Sequence, residues 1–154
     1  MILEVLSICL RQRIKLMLTI NTKRKLLKQI IKEQGFLKII VSGNSMFPVI
    51  LNNEAVDILK ASAVRIGDIV LWTKENGTSV ILHRVVCCQD GYVMTKGDNN
   101  IDFDLPIQEN DIIGLHKPKR QIKNIICIIK NRKLEKKAAH ILSIYLRIKK
   151  SKNT

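Results

Sequence analysis

The middle of the chain alternates short β-branched runs with polar turns, and this pattern restricts its fold more than any other feature. Runs of this kind predict strands over residues 37–41, 55–59, 69–73, 80–86, 92–95 and 111–115. Asn76-Gly77 and Asp90-Gly91 separate neighbouring runs and are typical of tight hairpin turns. The short spacing favours hairpins over helical crossovers, so we expect a small, mainly β domain at residues 36–116.

The charged residues divide the chain into three parts. Residues 1–40 contain nine basic and two acidic residues, residues 41–116 five and ten, and residues 117–154 thirteen and one. We therefore expect a basic amphipathic helical arm over 1–35 and a basic, helical segment over 117–154. Such segments indicate an anionic partner such as a membrane surface, or only solvated helix faces. Nucleic acid is a poor match, because an aromatic content of 4% offers little for base stacking.

Helical periodicity refines the two basic segments. It predicts one helix over residues 3–18, a second that is capped by Thr22 and ended by Gly35, and a third over 134–148. The basic polar faces suit a membrane surface, but they suit a helix packed on its own domain equally well. The third helix has one apolar side, formed by Ala138, Ile141, Leu142, Tyr145 and Ile148.

No run reaches the roughly 18 uncharged apolar residues that a membrane-spanning helix requires. We therefore expect no transmembrane helix, and a protein that is cytoplasmic or peripheral at the membrane. Any contact with the bilayer would then be made by the basic segments.

Four short motifs follow one another in the β domain. They are Ser42-Gly43-Asn44-Ser45-Met46-Phe47-Pro48, Gly67-Asp68-Ile69-Val70, Leu82-His83-Arg84-Val85-Val86 and Lys96-Gly97-Asp98-Asn99-Asn100. In this order they resemble the boxes of the signal peptidase I family of serine proteases and of its relatives, the self-cleaving repressors of the SOS response. The resemblance covers residues 38–116. It implies a signal-peptidase-like β fold and a serine endopeptidase activity.

The resemblance also implies roles for individual residues. Ser45 is the expected nucleophile, and His83 is the base that a serine hydroxyl needs, as in the histidine-type members of the family. Asp104 matches the second of two aspartates in the last box and is expected to orient His83. Phe103 replaces the first aspartate, and Asp102 is the alternative carboxylate.

Further expectations concern the groups around this centre. The oxyanion hole is expected to use the backbone N–H groups of Ser45 and Gly43, because Gly43 lacks the hydroxyl that signal peptidases carry two residues before the nucleophile. Asp98 is interpreted as a turn-forming residue that caps backbone N–H groups. Arg84 is interpreted as a partner for a nearby carboxylate or carbonyl.

No cofactor or metal is expected. His116 and His140 lack partners at metal-ligand spacing, and no C-x-x-C pair occurs. The four cysteines are typical of reduced, mostly buried thiols: Cys9, Cys87, Cys88 and Cys127.

Our interpretation is a protease that cleaves signal or leader segments from precursor peptides, with two alternatives. A self-cleaving regulator would have an upstream DNA-binding domain and an Ala-Gly cleavage site. The 36 residues before the predicted strands are short for such a domain, and no Ala-Gly occurs. A non-enzymatic basic adaptor, binding a membrane or a protein partner, would not depend on Ser45 or His83.

Overall fold

One seven-stranded antiparallel sheet forms the centre of the protein. A computed structural model describes residues 20–74, 79–118 and 121–151. The strands are β1 (Phe36–Ile40), β2 (Ala55–Leu59), β3 (Ile69–Thr73), β4 (Val80–Gln89), β5 (Tyr92–Lys96), β6 (Ile107–Gln108) and β7 (Ile112–His116). Their order in the sheet is β1-β2-β7-β3-β4-β5-β6. The expectation of a mainly β domain is confirmed.

The predicted strands agree closely with the observed ones. β2 and β3 have the predicted bounds, and β1, β4, β5 and β7 differ only at their ends. Asp90 and Gly91 both have positive φ angles, 51° and 74°, which confirms the hairpin turn between β4 and β5. β6 was not predicted, because two residues are too few to show strand alternation. The hairpin turn predicted at Asn76-Gly77 lies outside the described residues.

The first described helix, α1 (Ile20–Gln34), packs on the sheet. It is described from Ile20 onward and already includes Thr22, so the predicted cap position is wrong. It ends as predicted at Gly35, whose φ is 82° and whose N–H donates to Ile31 O at 2.9 Å. Ile31 is buried in the main core with residues of β2 and β3. The helix predicted over residues 3–18, and Cys9 within it, lie outside the described residues.

The second helix, α2 (Gln121–Ser151), lies against β4 and β5. Its buried residues Ala138, Leu142 and Leu146 pack against Val86, Cys87 and Met94. Ala138 and Leu142 are buried as predicted and Tyr145 packs against the same cluster, whereas Ile141 and Ile148 are exposed. The described parts of both basic segments thus share the core of the β domain. Neither α1 nor α2 contains a stretch long and apolar enough to cross a bilayer, within the residues described.

Candidate active site

Ser45 lies in a series of turns that follows β1. The next apolar residues, Met46, Val49 and Ile50, are buried in the main core. The N–H groups of Val49 and Ile50 both donate to Met46 O at 2.9 Å. The backbone of Ser45 is held from the other side, because Asn99 N–H donates to Ser45 O at 2.8 Å. Packing below and a hydrogen bond beside it therefore fix the position of this serine.

His83 lies in β4 within hydrogen-bond distance of two other side chains. Its Nε2 is 3.0 Å from Ser45 Oγ, and its Nδ1 is 2.7 Å from Asp104 Oδ2. The His83 side chain is only 8% exposed. Three residues far apart in the sequence thus form one continuous hydrogen-bonded chain, in the order serine, histidine, carboxylate.

The chemistry of the three groups fixes the direction of each bond. An ionised carboxylate only accepts, so His83 Nδ1 carries the proton that it donates to Asp104. In a neutral imidazole Nε2 is then the acceptor, and Ser45 Oγ–H donates to it. This arrangement leaves Nε2 ready to take the hydroxyl proton when Ser45 attacks an electrophile.

The structure distinguishes between the two candidate carboxylates. Asp104 is partly buried and bonded to His83, whereas Asp102 is exposed. Both His83 nitrogens already have partners, Asp104 and Ser45. The alternative assignment to Asp102 therefore has no geometric support.

Two contacts of the site were missed by the sequence analysis. Thr95, in β5, donates from Oγ1 to Asp104 Oδ2 at 2.6 Å, and no motif had singled it out. Asp98 does lie in a turn, as interpreted, since Asn100 N–H donates to Gly97 O at 3.0 Å, but the pairing of its carboxylate with Arg84 was not predicted. Asp98 forms a two-bond ion pair with Arg84, with both oxygens at 2.7 Å from the guanidinium and both side chains 0% exposed.

Arg84 behaves as predicted, since it binds a carboxylate and a carbonyl. Besides Asp98, it donates from Nη1 to Gly67 O at 2.7 Å. The sequence signal that could have revealed the ion pair was an arginine in the apolar strand β4. A buried arginine requires a carboxylate partner, and Asp98 is the carboxylate residue of the last motif, Lys96-Gly97-Asp98-Asn99-Asn100.

The two expected oxyanion donors differ in availability. Gly43, with φ 98°, donates its N–H to Asn52 Oδ1 at 2.8 Å, so this amide is already engaged. The Ser45 N–H has no partner among residues 20–74, 79–118 and 121–151. Of the pair, the structure leaves the Ser45 amide available for a developing negative charge.

An apolar cleft of about 270 Å³ opens beside Ser45 and His83. Its walls come from β1 and the residues after it, from the first residues of β4, and from one residue each of α1 and β3. The lining residues besides the two catalytic candidates are Leu27, Leu37, Ile39, Ile40, Val41, Ser42, Leu71, Val80, Ile81 and Leu82. β1, which leads into the turns that contain Ser45, is one of the two edge strands of the sheet formed by the described residues.

In the described part of the chain, no three His, Cys, Asp or Glu side chains are grouped to hold a metal ion. Cys87 and Cys127 are buried thiols, and Cys88 is exposed. Burial raises the pKa of the Cys87 thiol, and partial burial raises that of Cys88 to about 11. Both thiols are therefore poor nucleophiles at neutral pH.

No known protein-family model matches this chain, and no curated protein shows significant similarity to it.

Proposed function

We propose that this protein is a serine endopeptidase of the histidine-type signal peptidase kind, with the corresponding β fold, and that it cleaves signal or leader segments from precursor peptides. The observation that carries the proposal is the chain from Ser45 Oγ through His83 to Asp104, with distances of 3.0 and 2.7 Å. An ordinary buried histidine needs hydrogen-bond partners, but not a serine hydroxyl at the mouth of an apolar cleft.

The mechanism follows from the direction of the hydrogen bonds. Ser45 Oγ attacks the peptide carbonyl while its proton moves to His83 Nε2. Asp104 stabilises the imidazolium that forms, and the Ser45 N–H faces the negative oxygen. His83 then donates the proton to the leaving amine. Water, deprotonated by the same imidazole, releases the acyl group from Ser45 and restores the starting state.

The cleft suggests the kind of peptide that binds. Leu37, Ile39 and Leu82 give it apolar walls, and a volume of about 270 Å³ suits small or medium apolar side chains. A substrate strand would pair with the outer edge of β1, which no described strand covers, through backbone hydrogen bonds and with its side chains in the cleft. We propose an extended, apolar segment before the cleaved bond.

The basic residues of α2 suggest how a substrate would be held. Lys136, Lys137, Arg147 and Lys150 are all exposed on this helix. They would attract an anionic membrane surface or an acidic partner, and we propose a location at the membrane periphery or in the cytoplasm. Their contribution would weaken as salt increases.

Two assays test the proposal. A fluorophosphonate probe reacts with an activated serine: the Ser45 Oγ–P bond forms, fluoride leaves, and the proton passes to His83. Intact-protein mass spectrometry of wild type, Ser45→Ala and His83→Ala reports this reaction. A precursor peptide with an apolar segment and an Ala-x-Ala site, with anionic liposomes present, reports cleavage.

We expect Ser45 to be labelled in wild type and not in either variant, and the precursor to give one discrete product that both substitutions abolish. If wild type is not labelled and binds liposomes as well as both variants do, the adaptor alternative is favoured. Cleavage within the protein's own chain would instead favour the self-cleaving regulator.

A further inference from the structure

Thr95 makes two hydrogen bonds with Asp104. Its hydroxyl donates to Asp104 Oδ2 at 2.6 Å, and its carbonyl accepts from Asp104 N–H at 2.9 Å. The residue is 0% exposed. The two bonds run in opposite directions between the same two residues, so they fix both the backbone and the carboxylate of Asp104 relative to β5.

The hydroxyl binds the same oxygen as the histidine. His83 Nδ1 lies 2.7 Å from Asp104 Oδ2, so this one oxygen accepts from both side chains. A carboxylate with a single donor can rotate about its last side-chain bond and exchange its two oxygens. A second donor on the same oxygen opposes that rotation, and bonds to ionised acceptors are among the stronger hydrogen bonds in proteins.

The pairing of β5 with β4 connects Thr95 to the strand that contains His83. Thr95 is paired with Val85, and the next pair along the two strands is Lys96 with Arg84. His83 precedes Arg84 in β4. Asp104 is therefore tied to β5, and β5 is tied by its ladder to the strand that carries His83.

We propose that Thr95 is a positioning residue of the site, which holds Asp104 Oδ2 against His83 so that the imidazole keeps the tautomer and orientation needed at Ser45. The proposal rests on the proposed protease function. A purely structural threonine would make the same bonds, but its loss would act on folding and not on Ser45 reactivity.

The test uses the full chain and the fluorophosphonate probe. The variants are Thr95→Val, which removes the hydroxyl at similar size, and Thr95→Ser, which retains it. We expect the valine variant to react with the probe about tenfold more slowly, or about 1.4 kcal/mol, with serine within about twofold of wild type. The loss should shrink to about twofold in an Asp104→Asn background, because the two residues act through one contact.

A readout independent of activity separates this proposal from the protease proposal. The Nδ1–H proton of a histidine bonded to a carboxylate gives a far-downfield proton NMR signal, assigned here by its absence in His83→Ala. Thr95→Val should shift or broaden that signal, and Thr95→Ser should leave it in place. If wild-type Ser45 fails to react with the probe, the protease proposal fails, and the NMR comparison still decides the role of Thr95.

Either of two results would overturn the positioning role. One is an unchanged His83 signal in Thr95→Val. The other is a double variant, Thr95→Val with Asp104→Asn, whose loss of rate equals the product of the two single losses. Such a product would mean that the two residues act independently and not through their shared contact.

Discussion

His83 and Arg84 are consecutive residues of β4, and each binds a carboxylate from one end of the same loop. Arg84 binds Asp98, at the start of the loop that follows β5, and His83 binds Asp104, at its end. The same loop contacts the nucleophile, because Asn99 N–H donates to Ser45 O. One short loop therefore sets the relative positions of the candidate base and nucleophile.

Replacing Asp104 tests this arrangement directly. Asp104→Asn removes the negative charge opposite the imidazolium and disturbs the tautomer, so we expect the rate of Ser45 labelling to fall about 10²- to 10⁴-fold. Asp102→Asn is the matched control in the same loop, and its exposed carboxylate predicts a rate close to wild type. The reverse order of effects would show that Asp102 supports His83.

The buried ion pair should contribute strongly to stability when one partner is removed. Arg84→Met removes the guanidinium that Asp98 binds, and both side chains are 0% exposed in the wild type. We expect the free energy of unfolding in urea to fall by about 3–5 kcal/mol. Lys38→Met breaks the exposed pair with Asp57 and should cost at most about 1 kcal/mol. Equal losses in the two variants would contradict the assignment.

Position 97 requires glycine because neighbouring atoms leave no room for a Cβ, and not because of its φ angle. A Cβ at Gly97 would lie 2.8 Å from Ser45 O and from the Asn100 side chain. Gly97→Ala should therefore displace Ser45 and reduce labelling at least about tenfold, the size of effect expected from small displacements in an active site.

Gly91→Ala provides the opposite case. Its φ of 74° makes alanine strained, but no atom lies within 4 Å of the added Cβ. We expect a loss of about 1 kcal/mol in stability with labelling unchanged. If the labelling rate falls in proportion to the loss of stability in both Gly97→Ala and Gly91→Ala, then Gly97 acts only through folding.

The thiol of Cys88 should respond to pH in a diagnostic way. Partial burial, then Cys87, Glu109 and Asp68, raise its pKa to about 11. Because the thiolate is the reactive form, alkylation by iodoacetamide should rise about tenfold per pH unit from pH 7 to 10 without levelling off. Tandem mass spectrometry distinguishes it from Cys87. In urea the rate of Cys88 alkylation should level off above pH 8.5, because the ordinary pKa of a cysteine thiol is about 8.5. A plateau at the same pH in the folded protein would contradict the raised pKa.

The C-terminal helix should contribute to the core despite its charge. Leu142 is 0% exposed among residues of β4 and β5, whereas Ile148 is 53% exposed. Leu142→Ala should cost about 2–5 kcal/mol in urea unfolding, because it leaves a cavity. Ile148→Ala should change stability by less than about 0.5 kcal/mol. Similar small values for both would indicate that α2 is not packed on the sheet.

The sequence predicted most of the sheet, because its strands are short, rich in β-branched residues and separated by turns with special backbone angles. Ser45, His83 and Asp104 were selected by order in a familiar set of motifs, and the fold places them in contact. Thr95 and the Arg84–Asp98 pair were not recognised, since a hydroxyl or a carboxylate acquires its role from the strand opposite. On α2, Ala138, Leu142 and Tyr145 were correctly assigned to the packed side, but Ile141 and Ile148 were not, because several faces of this helix are apolar and only the sheet determines which is covered.

The loop after β5 is fixed at both ends and free at its centre. Asp98 and Asp104 are bound to β4, while Ile101 is 92% exposed and Asp102 is also exposed. Residues at the tip can therefore change in size or charge without altering the distances at the reacting atoms. That separation makes the tip a natural place for sequence divergence, and a practical one for attaching a fluorophore that reports substrate arrival beside an intact site.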